Sequence, residues 1–269
     1  MSTQCLNCGA ELKESYHYCP NCSQKKETQR IHFHDLVHDA VHYFTHADKG
    51  IFQLLRALVI QNGFVAREYL DGKRKRYFPP LNFYLIVATV MVLSLTTLKN
   101  QEPKDTAKAY NELNNISDPV KRHKVMGIYE RRDKALQFTS KYSNVLALIA
   151  LPLIALVYWL FYVKARFNYV EHMIAGMYMN GFTNLFYLLI FAPLAQLLVG
   201  GQTTKYIFIY FIIQFIYCGI FYYRFINRSG TAALFKSFSV SLVSILIWAL
   251  LTTSAISLYI ANGFWGLIQ

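Results

Sequence analysis

Long apolar runs separated by short polar connections begin at Leu81 and continue to the end of the chain. A helix needs about 20 apolar residues to cross the hydrocarbon core of a bilayer. Such runs should be helical, because an unpaired backbone group in lipid costs several kcal/mol. The pattern predicts five membrane spans, at residues 81–98, 144–163, 174–199, 206–223 and 237–260.

The chain before the first span follows a different pattern. Residues 1–29 are polar and hold four cysteines, and residues 30–80 place apolar side chains at helical spacing. An apolar stripe on a polar helix is typical of a helix in the membrane interface. We therefore predict three regions: a cytoplasmic module at 1–29, interfacial helices at 30–80, and a transmembrane domain at 81–269 with an external loop at 99–143.

Composition and charge agree with a membrane protein. Of the 269 residues, 54% are hydrophobic and 16% are charged, whereas average globular chains have roughly 25% charged residues. The net charge is +12, and its densest cluster is Lys73, Arg74, Lys75 and Arg76, followed by Tyr77. We call Lys73–Tyr77 the basic collar. Cations beside a span face the cytoplasm and contact anionic headgroups, so the collar predicts a cytoplasmic N-terminus and a lipid contact.

Four of the five cysteines form two C-x-x-C pairs, at Cys5, Cys8, Cys19 and Cys22. Four thiolates with no open position are typical of a structural zinc site. Disulfides are rare in the cytosol, and a redox pair would normally accompany a βαβ pattern, which is missing here. The sequence therefore predicts a small ribbon that is folded by one structural zinc ion. Gly9 suits the left-handed end of the first turn, and Ser23 occupies the equivalent place in the second.

Histidines recur at every fourth residue of the next segment, at His34, His38, His42 and His46. Each step advances about 40° beyond a full helical turn, so the four cannot all bind one ion. One interpretation is a second metal site formed by His38 and His42 with Asp35. A second is a surface helix with solvated histidines, and a third is a pH sensor that binds anionic lipid when protonated. The sequence leaves all three open.

Polar residues also mark the third predicted span and its cytoplasmic end, at Glu171, His172, Asn180 and Asn184. Such a stripe should face the interior of the bundle. Interhelical hydrogen bonding is the interpretation that we favour. The alternative is a site for a lipid headgroup or a small solute. The sequence contains no H-E-x-x-H, G-x-S-x-G or phosphate-binding glycine loop, so we expect no enzyme.

The residues before the first span resemble a known family. His46-Ala47-Asp48-Lys49-Gly50 precedes a motif whose fixed positions are Tyr69, Leu70, Gly72, Lys73, Arg74, Tyr77 and Pro80. With the cysteine pairs, these residues resemble the bacterial membrane proteins of domain-of-unknown-function family 3667. The resemblance covers residues 1–98, and the chain departs mildly from it at Asn62 and Ser23. It implies a multi-pass protein of the bacterial inner membrane and carries no activity.

Together these features predict an all-α membrane protein. We expect a five-helix transmembrane bundle with amphipathic interfacial helices and a small N-terminal zinc ribbon. The expected function is that of a non-enzymatic scaffold or regulatory protein that contacts anionic lipid headgroups and a cytoplasmic protein partner. No nucleic acid partner is expected. The alternative function is transport or lipid handling through the polar stripe of the third span.

Overall fold

The computed structural model describes residues 4–36, 50–98, 117–199 and 203–262. Within these ranges the chain forms helices and no β-strand. Extended backbone pairs at two isolated bridges in the N-terminal module, between Gln4 and Glu11 and between Tyr18 and Lys25. The predicted all-α class is therefore confirmed for the described residues.

The helices follow one another with short connections. Their bounds are α1 Gly50–Ile60, α2 Phe64–Leu70, α3 Pro80–Leu98, α4 Pro119–Lys141, α5 Ser143–Phe161, α6 Tyr169–Phe186, α7 Ala192–Val199, α8 Thr203–Ile226 and α9 Thr231–Asn262. A π-helical turn at Tyr187–Phe191 joins α6 to α7. In this turn the Ala192 N–H donates to the Tyr187 carbonyl, five residues earlier. The turn ends two residues before Pro193, which has no N–H with which to continue a regular α-helical ladder.

Three helical segments are long and apolar enough to cross a membrane: Tyr169–Ala195, Phe208–Ile226 and Thr231–Ala261. They correspond to the third, fourth and fifth predicted spans, and they mark the chain as a membrane protein. The first two predicted spans coincide with shorter apolar segments, Pro80–Ser94 and Val145–Phe161. The five-span arrangement therefore stays a prediction.

Helix α4 lies within the segment that the sequence predicted as an external loop. The Asp118 side chain accepts hydrogen bonds from the backbone N–H groups of Val120 and Lys121, and Pro119 begins the helix. An Asp cap followed by proline is a common helix start. Hydrophobic patterning missed this helix because its exposed and polar residues do not form a clear apolar stripe.

The described chain forms two compact units, one within Met1–Ala88 and Leu151–Ser244 and the other within Thr89–Ala150 and Ile245–Gln269. In the second unit the Arg131 guanidinium donates to the Ile260 carbonyl at 2.7 Å. The candidate functional residues lie in the first unit, where α1 and α2 pack against α6, and α2 also packs against α8.

Gly63, at the start of α2, fixes the position of that helix. A Cβ atom at this residue would lie 1.9 Å from the carbonyl oxygen of Phe221 in α8. The backbone of Gly63 therefore contacts the backbone of α8 directly. The neighbouring side chains Val65 and Phe221 are fully buried. This contact holds the connection between the N-terminal residues and the membrane helices in a single position.

Candidate metal site and its attachment to the juxtamembrane helices

Each C-x-x-C pair lies in a tight turn of the same form. The Gly9 N–H donates to the Cys5 carbonyl at 2.9 Å, and the Ser23 N–H donates to the Cys19 carbonyl at 2.8 Å. Gly9 and Ser23 have φ angles of +76° and +57°. The two turns are therefore equivalent, as their positions in the sequence indicated. Ser23 holds a left-handed conformation that is uncommon for residues other than glycine.

The four cysteine sulfur atoms lie within 4.8 Å of one another. The Sγ atoms of Cys5 and Cys22 are 3.6 Å apart, and so are those of Cys8 and Cys19. A disulfide bond would need about 2.05 Å. Bonds of about 2.3 Å from sulfur to a tetrahedral zinc ion would place the sulfur atoms about 3.8 Å apart. The donor set therefore fits a metal ion.

The thiols differ in acidity when no metal is bound. A backbone hydrogen bond from Ala10 lowers the pKa of the exposed Cys8 thiol to about 7. Burial raises the pKa of Cys22 to about 12. A bound cation favours the thiolate at every ligand, so metal binding would release protons from the cluster.

The N-terminal module has a very small apolar core. Its buried residues are Cys5, Leu12 and Cys19, with Ala10, Tyr16 and Cys22 packed beside them. Half of these six residues are the candidate metal ligands. A core of this size contributes little hydrophobic stabilisation, so the fold of the module depends on what the cysteines bind.

Gln24 attaches the module to the chain around the basic collar. Its side chain is buried, and its Nε2 donates to the Gly72 carbonyl at 2.6 Å. Its Oε1 accepts from the backbone N–H groups of Arg74 and Lys75, at 3.2 and 3.4 Å. One amide side chain thus pairs three backbone groups across the contact. Sequence analysis missed this role, because no local pattern connects residues 48 positions apart.

Gly72 lies directly against the module. It has a φ angle of +110°, a conformation that glycine adopts far more readily than other residues. A Cβ atom at this residue would lie 2.8 Å from Leu6 Cδ1 and 3.2 Å from Thr28 Oγ1. Both the conformation and the close contact require glycine here, which gives a physical reason for the glycine of the motif.

The side chains of the basic collar contact protein groups, and Glu68 is the centre of these contacts. Lys73 Nζ lies 2.6 Å from Glu68 Oε1, and an Arg76 guanidinium nitrogen lies 3.5 Å from Glu68 Oε2. The buried Tyr77 hydroxyl donates to Glu68. The Arg74 guanidinium donates to the Gln29 carbonyl. The predicted contact with lipid headgroups stays a prediction.

The pKa of Glu68 reflects these contacts. Burial would raise it, but hydrogen bonds from Lys73 and Tyr77 outweigh that effect, with help from the charges of Lys73 and Arg76. The pKa of Glu68 is therefore below its ordinary value, and the carboxylate is charged at neutral pH.

Arg30 forms a second attachment, to the N-terminus of α6. Its Nε and one terminal nitrogen each donate to a Glu171 carboxylate oxygen at 2.8 Å, and the terminal nitrogen also donates to the Arg166 carbonyl at 2.6 Å. Glu171 is 6% exposed. It also forms a capping box with Asn168, since each side chain accepts from the other residue's backbone N–H. The buried carboxylate is thus fully paired.

The other residues of the predicted polar stripe have different surroundings. His172 is fully buried among the rings of Tyr162, Phe167, Tyr222 and Phe225. Neither of its ring nitrogens has a hydrogen-bond partner within the described chain, and neither does the Asn180 side-chain amide nitrogen. Asn180 and Asn184 are half-buried. Among the described residues, His172 therefore forms no interhelical hydrogen bond. Such a bond is formed by Tyr169, two residues before Glu171, whose hydroxyl donates to the Pro152 carbonyl of α5.

The histidine segment is described only at its start. Residues 33–36 form a helical turn, in which His34 Nδ1 lies 3.9 Å from Asp35 Oδ1. The Asp35 carboxylate accepts from the His32 N–H at 3.1 Å. Residues His38, His42 and His46 lie outside the described residues. The second metal site and the pH sensor stay predictions.

Comparison with known proteins places a family match on the juxtamembrane part of the chain. Residues 48–92 match the model of a family described as Protein of unknown function (DUF3667). The matched segment includes α1, α2, the basic collar and the first part of α3. This match agrees with the resemblance found in the sequence. No curated protein and no solved structure matches the chain.

The match has a simple physical interpretation. Within the matched segment, Gly63 contacts α8, Glu68 pairs with Lys73 and Arg76 of the basic collar, and Gly72 contacts the module. The cysteines, Gln24 and Arg30 lie outside the matched segment. The matched segment therefore includes the backbone groups that Gln24 contacts, at Gly72, Arg74 and Lys75.

Proposed function

We propose that the protein is a non-enzymatic scaffold of the bacterial inner membrane, with five spans and a cytoplasmic N-terminus. Its cysteine module binds one structural zinc ion. The observation that carries the proposal is the buried Gln24 side chain, which joins the module to the membrane helices through three backbone hydrogen bonds. A module held this firmly presents its outer surface in a fixed position. Tyr18 lies on that surface and is 61% exposed, which suits contact with a cytoplasmic partner.

The attachment also gives the metal a regulatory consequence. Folding of the module depends on zinc, so loss of the ion would release Gln24 and Arg30 together. Glu171 would then be a buried carboxylate without its cation, which is unfavourable. The state of the metal would thereby alter the start of α6. This coupling supports a regulatory scaffold over a simple membrane anchor.

Native mass spectrometry of the purified full chain tests the proposal. We expect one zinc ion in the wild type and none in Cys19→Ser/Cys22→Ser, and a stoichiometric protein partner that is lost in the same variant. Cys218→Ser is the matched control, because Cys218 is buried in α8 and lies outside the module. A partner retained by the double variant would contradict the scaffold role, and a folded wild type without metal would contradict the zinc site.

Lipid handling is the second candidate, and one cavity favours it. An apolar cavity of about 580 Å³ lies between α1, α6 and α8, with Arg56 and Gln214 among its lining residues. An acyl chain could occupy such a space with its polar end near Arg56. A co-purified lipid that is lost on Arg56→Leu, while zinc is retained, would favour this candidate over the scaffold.

A further inference from the structure

A second basic region lies where α8 ends and α9 begins. A cavity of about 290 Å³ is lined there by residues of the connecting turn and both helix ends, together with Tyr162. Two of its lining residues, Arg228 and Lys236, carry positive charge. No carboxylate lines the cavity among the described residues. We call this feature the basic cavity.

Among the described residues, the two cations of the basic cavity have no carboxylate partner, whereas four cations around the module do. Arg30, Lys73, Arg76 and Arg166 each form an ion pair. Neither Arg228 nor Lys236 pairs with any carboxylate in the part of the chain that the structure describes. Lys236 Nζ instead lies 4.8 Å from the ring centroid of Tyr162, so its charge is held at the wall of the cavity.

Tyr222 adds an unused hydrogen-bonding group. This residue lines the cavity and is fully buried, and its hydroxyl has no partner among the described residues. Its ring stacks with that of Tyr158, at 3.5 Å between centroids, and with that of His172, at 6.0 Å. By contrast, the Tyr158 hydroxyl is paired with Ser241 at 2.9 Å. A buried hydroxyl without a partner is unfavourable. The hydroxyl has almost no exposed surface, so an acceptor atom in the cavity would relieve that cost after a small shift of the Tyr222 side chain.

The start of α9 also favours an anion in the basic cavity. Ser229 and Ala232, on either side of the first residue of this helix, both line the cavity. The first N–H groups of a helix have no partner within it and carry partial positive charge, so they favour an anion.

We propose that the basic cavity binds a phosphate group. The Arg228 guanidinium matches two phosphate oxygens, and Lys236 supplies a second charge. Ser229, the Tyr222 hydroxyl and the first turn of α9 supply neutral donors. The phosphate can belong to a lipid headgroup or to a soluble phosphate compound. The position of the cavity at the ends of two candidate membrane spans favours the headgroup of an anionic lipid.

Binding to the full-length protein in detergent tests the proposal. The probes are dioleoyl-phosphatidylglycerol, counted by native mass spectrometry, and inorganic phosphate, measured by calorimetry. We expect one site in the wild type, weakened about tenfold or more in Arg228→Gln/Lys236→Gln. The matched control is Lys124→Gln/Arg132→Gln, which removes the same charges from exposed positions of α4 and should bind as the wild type does.

The two probes separate the two sources of phosphate. Binding of phosphatidylglycerol alone identifies a headgroup site, whereas binding of inorganic phosphate that displaces the lipid identifies a site for soluble phosphate. Binding of neither probe to the wild type overturns the proposal. Equal binding by the cavity variant and the control variant also overturns it. These outcomes do not depend on zinc, so they can be distinguished from failure of the proposed scaffold function.

A single-atom change provides a test that does not disturb the charges. Tyr222→Phe keeps the stacked ring and removes only the unpaired hydroxyl. The melting temperature without ligand should be unchanged or higher, and the increase caused by the bound probe should be smaller than in the wild type. An undiminished increase would exclude the hydroxyl from the site.

Discussion

The basic collar and the basic cavity both concentrate positive charge beside membrane helices, but their charges have different partners. In the collar, Lys73 and Arg76 pair with Glu68, and Arg74 donates to a carbonyl of the N-terminal segment. In the cavity, Arg228 and Lys236 have no carboxylate partner among the described residues. A conspicuous basic run in a sequence therefore need not be the site that binds an anion. Arg228, in the connection between α8 and α9, and Lys236, in the second turn of α9, are the stronger candidates because no carboxylate of the described residues pairs with them.

Charged and uncharged groups contribute differently to the contact around the basic collar. Around the collar, uncharged groups determine the contact: the Gln24 amide, the Gly72 backbone and the Leu6 side chain. Exposed ion pairs add little stability on their own. The collar cations therefore contribute mainly by ordering the backbone that Gln24 contacts.

The largest expected difference in stability is between two single variants, one at the paired Arg30 and one at Arg228, which has no carboxylate partner among the described residues. Arg30→Ala leaves the buried Glu171 carboxylate without its cation, and should lower the free energy of unfolding by about 2 kcal/mol. That is less than the roughly 3–5 kcal/mol of a fully buried pair, because the Arg30 side chain is 52% exposed. Arg228→Ala should change it by less than about 0.5 kcal/mol. Denaturant titration of both variants measures the difference, and equal losses would contradict the distinction between the two regions.

Gln24→Ala should have the next largest effect. It leaves a carbonyl and two N–H groups at the collar without partners, and should cost about 1–2 kcal/mol. Gln53→Ala, at an exposed position of α1, is the control and should be neutral. The readout is protection of residues 4–36 from limited proteolysis. Phosphate binding at the basic cavity should be the same in both variants, and a parallel loss would mean that the two regions are coupled.

The smallest expected effect is the loss of stability that acid causes by protonating Glu68 beside the basic collar. The pKa of Glu68 is lower in the folded chain than its ordinary value of 4.5. Its contribution to stability is therefore fully present above pH 4.5 and is lost as the pH falls through the folded pKa. Comparing the wild type with Glu68→Gln from pH 7 to pH 3 should show a larger acid-dependent loss of stability in the wild type than in the variant. A loss of equal size in the variant would assign it to other groups.

Local sequence patterns predicted the features that depend on neighbouring residues, namely the helices and the clustered thiols. The apolar runs predicted helices because backbone groups in lipid must pair within their own segment. The C-x-x-C pairs predicted the clustered thiols because each turn positions its own two ligands, and Gly9 and Ser23 have the expected left-handed conformation. Helix α4 was missed because its pattern has no clear apolar face.

Distant contacts could not be predicted in the same way. Gln24 and Gly72 are 48 positions apart, and Arg30 and Glu171 are 141 apart. The residues next to Gln24 and Arg30 in the sequence do not indicate Gly72 and Glu171 as their partners. Glu171 was identified as a member of a polar stripe, yet the structure pairs it with Arg30, a cation beside the cysteine module. Likewise, only the fold shows that no carboxylate of the described residues pairs with Arg228 or Lys236.

Hydrogen exchange before and after treatment with a chelator is the most direct test of the attachment between the cysteine module and the membrane helices. Removing the ion with a chelator should increase exchange at the backbone N–H groups of Arg74 and Lys75, which pair with Gln24, and at the start of α6. Exchange at residues 227–236, around the basic cavity, should stay unchanged. Exchange at the collar that does not respond to zinc would contradict the account, because the module would then not be held there by its metal-dependent fold.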